Sequence, residues 1–266
     1  MKSLIVTADD FGVSPAVNEA VIRAFRDGIL RYASLMVNRR AAGEAARLAK
    51  EAPGLGVGLH LELCRGNPAR WGLRYFFSRV HRKRIEARIV SQIEKFLSFG
   101  LKPTHVDGHC NIHVHPVIFP ILARLARRYG IARIRLPLGE APLSRRFSRE
   151  ELFSREALAG VFGILGAYLR PRGEGLLIPE RTFGLLRSGA MSEDYWLWLI
   201  RNLPDGLAEI YCHPSSGGDG RPTPGHHSIG DLKVLLSPRV REALLEAGVT
   251  LAEEPQGFFS SVPTRT

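Results

Sequence analysis

Hydrophobic and polar positions alternate along the first half of the chain in a way that predicts strands and helices in turn. Short apolar runs of strand length occupy residues 3–7, 33–37, 56–63, 104–107 and 133–136. Between them, apolar residues recur at helical spacing over residues 16–27, 41–51, 85–99 and 117–129. Ser14-Pro15 supplies a helix cap followed by proline at the first helical position, and Gly28 ends that helix.

The pattern loosens over residues 138–190, where only helical pieces near 150–168 are indicated. Regular elements return after it: helices at 192–203 and 237–247, and strands at 207–212 and 249–252. Strands that alternate with helices favour a parallel sheet with helices outside it. With no linker or repeat along the chain, we expect a single domain over residues 1–266.

Composition and charge narrow the picture without naming a partner. The formal net charge of +11 favours anionic partners such as nucleic acid or acidic lipid. The densest basic run covers residues 79–84, but neither stacking aromatics nor a nucleic-acid-binding signature accompanies it. We therefore expect a solvated basic face and no nucleic-acid partner. Weak contact of this face with a membrane surface is left open.

Cysteine usage and hydropathy predict the compartment. Three scattered cysteines argue against a secreted disulfide framework. The apolar run at the start is too short for a signal peptide, and no stretch approaches the length of a membrane span. We expect a cytoplasmic protein, with peripheral attachment to the inner membrane surface and the oligomeric state both left open.

Chemically useful side chains lie at the ends of several predicted strands. In chain order they are Asp9 with Asp10, His60, Asp107 with His109, and His213. In a barrel of parallel strands the carboxyl ends share one rim, so residues far apart in sequence would converge there. The adjacent acids could form a turn, but Ser14 already caps the next helix, and neighbouring carboxylates repel unless a cation or a shared proton relieves them.

The most specific signal is the segment 105–116, which holds four of the nine histidines. Neutral imidazole is a common ligand of zinc and other divalent ions, and carboxylates complete hydrolytic sites. Not all four histidines can bind one ion, so the remainder would orient ligands or contact substrate. Cys110 is more typical of a packed thiol than of a ligand. The pair His226-His227 lies in a loop rich in glycine and proline and is predicted to be at the surface.

These motifs resemble those of the YdjC-like carbohydrate deacetylases. The segments that carry the resemblance, in the same order as in the family, are TADDFG at 7–12, ASLMVN at 33–38, GLHL at 58–61, the His-x-Asp-x-His run at 105–109 and CHP at 212–214. The likeness is weakest over 138–190 and is greatest to the subgroup associated with hopanoid biosynthesis.

The resemblance implies a distorted (β/α) barrel, one divalent metal ion (magnesium or zinc) and hydrolysis of the N-acetyl group of an amino sugar. Asp10, His60 and His109 match the family's metal ligands. Asp9 matches the acid beside the metal, and His213 matches the histidine after the late strand. We therefore expect Asp9 to accept a proton from the attacking water and His213 to protonate the departing amine.

Two departures from the family bear on the substrate. Asn111 stands where the family often has histidine, and residues 64–68 form a shorter stretch than the usual loop. Asn111 and His113 are predicted to contact substrate. The subgroup likeness suggests an N-acetylglucosaminyl hopanoid lipid, with a chito-oligosaccharide as the main alternative. A metal-dependent phosphoesterase and a non-catalytic lipid- or nucleic-acid-binding protein are the rival functions.

Overall fold

The structure, a computed structural model, describes residues 1–147, 156–189, 191–217 and 227–253. His226 lies outside these residues, as does part of the helical region predicted at 150–168. Within them, eight strands form one sheet. The strands are β1 (Lys2–Phe11), β2 (Tyr32–Leu35), β3 (Gly56–Leu61), β4 (His105–Gly108), β5 (Arg133–Ile134), β6 (Arg181–Phe183), β7 (Gly206–Cys212) and β8 (Val249–Leu251).

The sheet is parallel, with strand order β5-β4-β3-β2-β1-β7-β6 and with β8 paired to β1. β1 is the longest strand because one edge pairs with β7 while the other borders β8 at its start and β2 at its end. All its residues from Leu4 to Phe11 are buried, as expected for a central parallel strand covered on both faces. Its carboxyl end is therefore held from both sides.

The sheet curls so that its two end strands, β5 and β6, approach each other. The backbone N–H of Ile134 donates to the carbonyl of Leu177 at 3.0 Å, and that of Thr182 donates to the carbonyl of Leu138 at 2.8 Å. These bonds join the segments next to the ends of the sheet without making a full ladder between them. The predicted α/β fold with parallel strands in a distorted barrel is confirmed.

Ten α-helices are seen in the described ranges. They are α1 (Pro15–Asp27), α2 (Ala42–Lys50), α3 (Pro68–Phe77), α4 (Arg79–Ser98), α5 (Ile118–Arg128), α6 (Glu140–Phe147), α7 (Glu156–Leu169), α8 (Glu193–Asn202), α9 (Ile229–Leu235) and α10 (Pro238–Glu246). Ser14, Ser192 and Ser237 cap their helices by accepting a backbone N–H three residues on, as their positions predict. No helix in the described ranges has both the length and the apolar character needed to cross a bilayer.

The sequence did not predict α3, which follows the short stretch after β3. Asn67 caps it and Pro68 begins it, so the start signal was present. Within the helix, however, only Tyr75 is fully buried, so most of its apolar residues lie outside the core. This helix packs against the 3-10 segment His109–Val114.

Glu140, at the start of α6, organises the loop after β6. Its carboxylate accepts the backbone N–H groups of Gly184, Leu185 and Leu186 at 3.0–3.1 Å. Burial raises the pKa of Glu140 from its ordinary 4.5 to about 7, although these three hydrogen bonds act in the opposite direction. The folded protein therefore binds a proton here that the unfolded chain releases between these two pH values.

We expect the free energy of unfolding to fall as pH rises from about 4.5 to 7, with a Glu140 contribution of about 3 kcal/mol at most. In a Glu140→Gln variant this contribution is absent, so its stability should vary less over the same range. Urea unfolding at several pH values measures both slopes. The exposed Glu242→Gln on α10 is the control, and a Glu140→Gln slope equal to that of the wild type would contradict the assignment.

Candidate metal centre

The two adjacent acids of β1 face different partners because the backbone changes conformation at the second. Asp10 has φ 63°, in the left-handed region that aspartate tolerates better than most residues. The pairing of β1 with β2 also shifts register between Ala8 and Phe11, and such irregularities re-aim side chains at strand ends. As a result, Asp9 contacts a buried arginine while Asp10 contacts histidines.

Three histidines surround the Asp10 carboxylate. Its Oδ1 lies 3.2 Å from Nε2 of His60 and 3.1 Å from Nδ1 of His109, and its Oδ2 lies 3.1 Å from Nε2 of His227. Asp10, His60 and His109 each offer one ligand atom, and these atoms all lie within 4.8 Å of one another. The side chains of Asp10 and His60 are only 2% exposed, whereas that of His109 is 25% exposed. The cluster therefore opens to solvent at His109.

The structure thus brings together the three residues predicted to bind metal. Without an ion, protons balance the charge: burial disfavours the ionised groups, but their mutual contacts keep the pKa of Asp10 well below its ordinary value and that of His60 well above its own. Burial also disfavours protonated His109, but its hydrogen bonds with Asp10 and Cys110 and the charge of Asp10 together outweigh burial and raise its pKa to about 9. A bound cation would take the place of these protons, because metal ligands must be deprotonated.

His60 is oriented from behind by Asp107. Nδ1–H of His60 donates to Oδ1 of Asp107 at 2.7 Å, so in the neutral imidazole Nε2 keeps its lone pair toward Asp10. The hydroxyl of Ser34 donates to Oδ2 of Asp107 at 2.7 Å and also lies 3.0 Å from Nε2 of His105. Carboxylates in this position fix the tautomer and the direction of a metal-binding histidine.

A single guanidinium, that of Arg135, bridges three buried carboxylates. It donates two hydrogen bonds to Asp9, at 2.7 and 2.9 Å, and reaches Asp107 at 2.8 Å and Glu209 at 3.0 Å. The ring of Tyr211 lies 4.3 Å away on one face. Arg135 was not among the predicted site residues, although it lies near the end of the strand predicted at 133–136, as the acids lie at the ends of theirs.

The charges of this cluster suit a cation. Four buried carboxylates face two buried guanidiniums, so two negative charges remain before the histidines are counted. The carboxylates belong to Asp9, Asp10, Asp107 and Glu209, and the guanidiniums to Arg133 and Arg135. Buried charge without compensation is costly, and one divalent ion at Asp10 would balance the remainder. One carboxylate and two imidazoles with an open side also match the donor set of hydrolytic metal centres.

His227 approaches Oδ2 of Asp10, whereas His60 and His109 approach Oδ1. His213 lies beside His227, and the two rings are 6.0 Å apart and nearly perpendicular. His213 donates its backbone N–H to Asp231 at 2.9 Å, and its ring Nδ1 has no hydrogen-bond partner among the described residues. Burial lowers the pKa of His213, so the ring is neutral at neutral pH and must gain a proton before it can protonate a leaving group.

The expectation that His227 is at the surface is wrong, since its side chain is 1% exposed and reaches Asp10. Its setting after glycine- and proline-rich residues suggested a surface position, and nothing in the local sequence indicates its contact with Asp10. Ser228, which caps α9, pairs with Pro214 after β7 and thereby holds His227 beside His213.

The two predicted substrate contacts have different surroundings. Asn111 is half-buried and donates from Nδ2 to the hydroxyl of Tyr211 at 3.3 Å, within the 3-10 segment His109–Val114. His113 is fully buried and donates from Nε2 to the carbonyl of Arg135 at 2.9 Å. In this structure His113 therefore supports the backbone of Arg135, and its contact with substrate stays a prediction.

Comparison with known proteins places the chain in one family. A family model described as "YdjC-like protein" matches residues 3–246. A carbohydrate deacetylase of Geobacillus stearothermophilus is 33% identical over 271 residues, covering 93% of this chain and 94% of that enzyme. A chitooligosaccharide deacetylase of Salmonella schwarzengrund is 38% identical over 146 residues, which span 49% of this chain and 58% of that enzyme.

Solved structures share the fold. One, from Enterococcus faecalis, is named as a candidate cellobiose-phosphate cleavage protein; it has a TM-score of 0.70 and 24% identity and covers 94% of this chain and 97% of its own. A lactam utilization protein of Thermus thermophilus has a TM-score of 0.51 and 17% identity, with 94% and 99% covered. At these identities the likeness extends to architecture alone.

The Asp107 contact leads to a test of the metal centre. In Asp107→Asn the side chain keeps its shape, but the carboxylate that holds His60 is lost, and metal affinity should fall by about 10- to 100-fold. Isothermal titration with zinc and with magnesium measures it, with Asp205→Asn, at an exposed surface position, as the control. Wild-type affinity in Asp107→Asn would contradict a metal bound by His60.

Proposed function

The chain belongs to the YdjC-like family, and we propose that it removes an acetyl group from an acetylated sugar by metal-dependent hydrolysis. The observation that carries the proposal is the cluster of Asp10, His60 and His109. In it, Asp10 and His60 are buried and His109 is partly exposed to solvent. The names of the relatives from Geobacillus and Salmonella support the reaction, since both act on carbohydrates as deacetylases.

Asp10, His60 and His109 would hold one divalent ion. Imidazole suits zinc, while carboxylate and water suit magnesium, so the donor set admits either. Such an ion polarises a carbonyl and lowers the pKa of a water molecule at the site. The contact between His227 and Oδ2 of Asp10 leaves Oδ1, which both other histidines approach, as the oxygen for the metal.

Asp9 and His213 are proposed as the proton-transfer residues. Asp9 is held by two hydrogen bonds from Arg135, which fix the position and orientation of its carboxylate. His213 lies beside His227, and its Nδ1 has no hydrogen-bond partner among the described residues, so once protonated it can give a proton to the departing amine.

For the substrate we propose an N-acetylated amino sugar, either the N-acetylglucosaminyl headgroup of a hopanoid-type lipid or a chito-oligosaccharide. The family likeness and the relatives' names support the sugar. A cytoplasmic location and a single domain over residues 1–266 are proposed with it. The phosphoesterase and the non-catalytic binding protein are retained as outcomes of the first test below.

In that test, His109→Ala and Asp10→Asn should lose metal binding and acetate release together, because each removes a proposed ligand. Asp27→Asn, an exposed acid on α1, should retain both. The measurements are metal content of the purified protein and acetate release from N-acetylglucosamine oligomers and glycolipids. Full activity of a metal-free His109→Ala protein would overturn the site. Release of phosphate in place of acetate would make the protein a phosphoesterase, and binding unaffected by chelators without turnover would make it a binding protein.

A second variant separates proton transfer from metal binding. His213→Gln removes the titrating group near the cluster, so kcat should fall by about 100-fold or more while the affinity for metal stays unchanged. Steady-state acetate release and metal titration on the same preparation give both values. A loss of metal in this variant would make His213 a ligand, and an unchanged kcat would remove it from the reaction.

A further inference from the structure

The helix that the sequence did not predict carries exposed apolar side chains. On α3 and at the start of α4, Leu73 is 58% exposed, Phe76 44%, Phe77 81% and Val80 58%. Large aromatic and aliphatic residues grouped this closely on a surface are unusual in a monomeric water-soluble protein and mark a contact with another apolar phase. Isolated exposed leucines would need no such explanation.

A second apolar surface lies on α7. Val161 is 54% exposed, Ile164 74% and Tyr168 49%, at the helical spacing that places them on one side. From Glu156 to Leu169 the helix has no basic residue, and Glu156 is its single acid. A helix this apolar is ordinarily buried in a core, yet this one faces outward.

Both helices adjoin the opening of the metal centre. α3 and α7 each pack against the 3-10 segment His109–Val114, which carries the exposed edge of His109. On the α3 side, the rings of Phe76 and His115 lie 4.1 Å apart, and His115 donates from Nε2 to the carbonyl of Gly72 at 3.1 Å. Both apolar surfaces therefore belong to helices that pack against the same short segment. Their exposed apolar side chains together are called the apolar rim; they are Leu73, Phe76, Phe77, Val80, Val161, Ile164 and Tyr168.

The α3 side of the rim is also strongly basic. Residues 65–84 contain seven arginine or lysine residues and no aspartate or glutamate. The cations are exposed, and they are Arg65, Arg70, Arg74, Arg79, Arg82, Lys83 and Arg84. Exposed aromatics among basic residues are the composition of segments that insert apolar side chains below anionic lipid headgroups.

We propose that the apolar rim docks the protein on an anionic phospholipid bilayer, with the opening at His109 turned toward the membrane surface. The charge of residues 65–84 complements the lipid, and Leu73, Phe77 and Ile164 enter the headgroup region. The inference rests on the proposed function only where it takes the acetylated sugar to be a lipid headgroup. The docking itself stands on exposure and charge alone.

The experiment is co-sedimentation of the full chain with vesicles of phosphatidylcholine, with and without phosphatidylglycerol. The wild type should bind the mixed vesicles and bind pure phosphatidylcholine at least tenfold more weakly, and added salt should weaken the binding. Phe77→Glu and Ile164→Glu should each reduce binding to mixed vesicles by about tenfold or more, since a carboxylate enters neither the apolar layer nor an anionic surface. Leu245→Glu, which alters a 78%-exposed leucine on α10, is the matched control and should bind as the wild type does.

Circular dichroism of each variant checks that the fold is kept, as expected for substitutions at exposed positions. Equal binding by Phe77→Glu, Ile164→Glu and the wild type would overturn the proposal, as would absence of vesicle binding. A wild-type dimer that Phe77→Glu dissociates, without vesicle binding, would assign the rim to a second copy of the chain. Binding to DNA in preference to vesicles would assign it to nucleic acid. Vesicle binding is measured independently of turnover. If the protein binds vesicles but releases no acetate in the test described above, the proposed function is refuted and the docking surface stands.

Discussion

The buried guanidinium of Arg135 is the interaction on which the site depends. It follows β5 and contacts carboxylates from β1, β4 and β7, strands that are spread across most of the sheet. Since these strands meet only if the sheet curls, the ion pairs and the curvature of the barrel require each other. Removing one partner would leave a buried charge unpaired, which costs far more than the net value of an intact pair. The arginine thereby fixes Asp9 directly and, through Asp107, the ring of His60.

Asp107 transmits this constraint because its two oxygens have separate partners. Oδ1 accepts from His60, while Oδ2 accepts from Ser34 and Arg135. The adjacent acids of β1 divide their contacts in a similar way, with Asp9 directed to the guanidinium and Asp10 to the imidazoles. One positive φ at Asp10 therefore separates a carboxylate paired with a permanent cation from a carboxylate that contacts three histidines. Such a division explains why two neighbouring acids can serve different chemical roles.

The sequence predicts the parts of this arrangement that depend on local pattern. Alternating strands and helices predict the parallel sheet, and strand-end positions bring Asp10, His60 and His109 together. Arg135 was missed because one arginine in a basic chain has no distinguishing pattern until its three partners are in place. His227 was taken for a surface residue because the pairing of Ser228 with Pro214, which holds His227 beside His213, is a long-range contact. His113 lies in the dense histidine run, but the setting of its ring depends on a hydrogen bond to the carbonyl of Arg135, 22 residues away in the sequence.

The exposure of the cluster also limits which substrates suit the site. His109 is the one member of the predicted ligand trio with a substantially exposed side chain, so an acetyl group must arrive past the 3-10 segment. That segment is the place where α3 and α7 pack, and both helices expose apolar side chains beside it. A soluble oligosaccharide could stack the apolar face of a sugar ring on Phe76 or Phe77, but it would leave the exposed aliphatic side chains of this surface uncovered. Under the proposed docking, a sugar carried on a lipid would instead reach the open edge of His109 with those side chains covered by the bilayer.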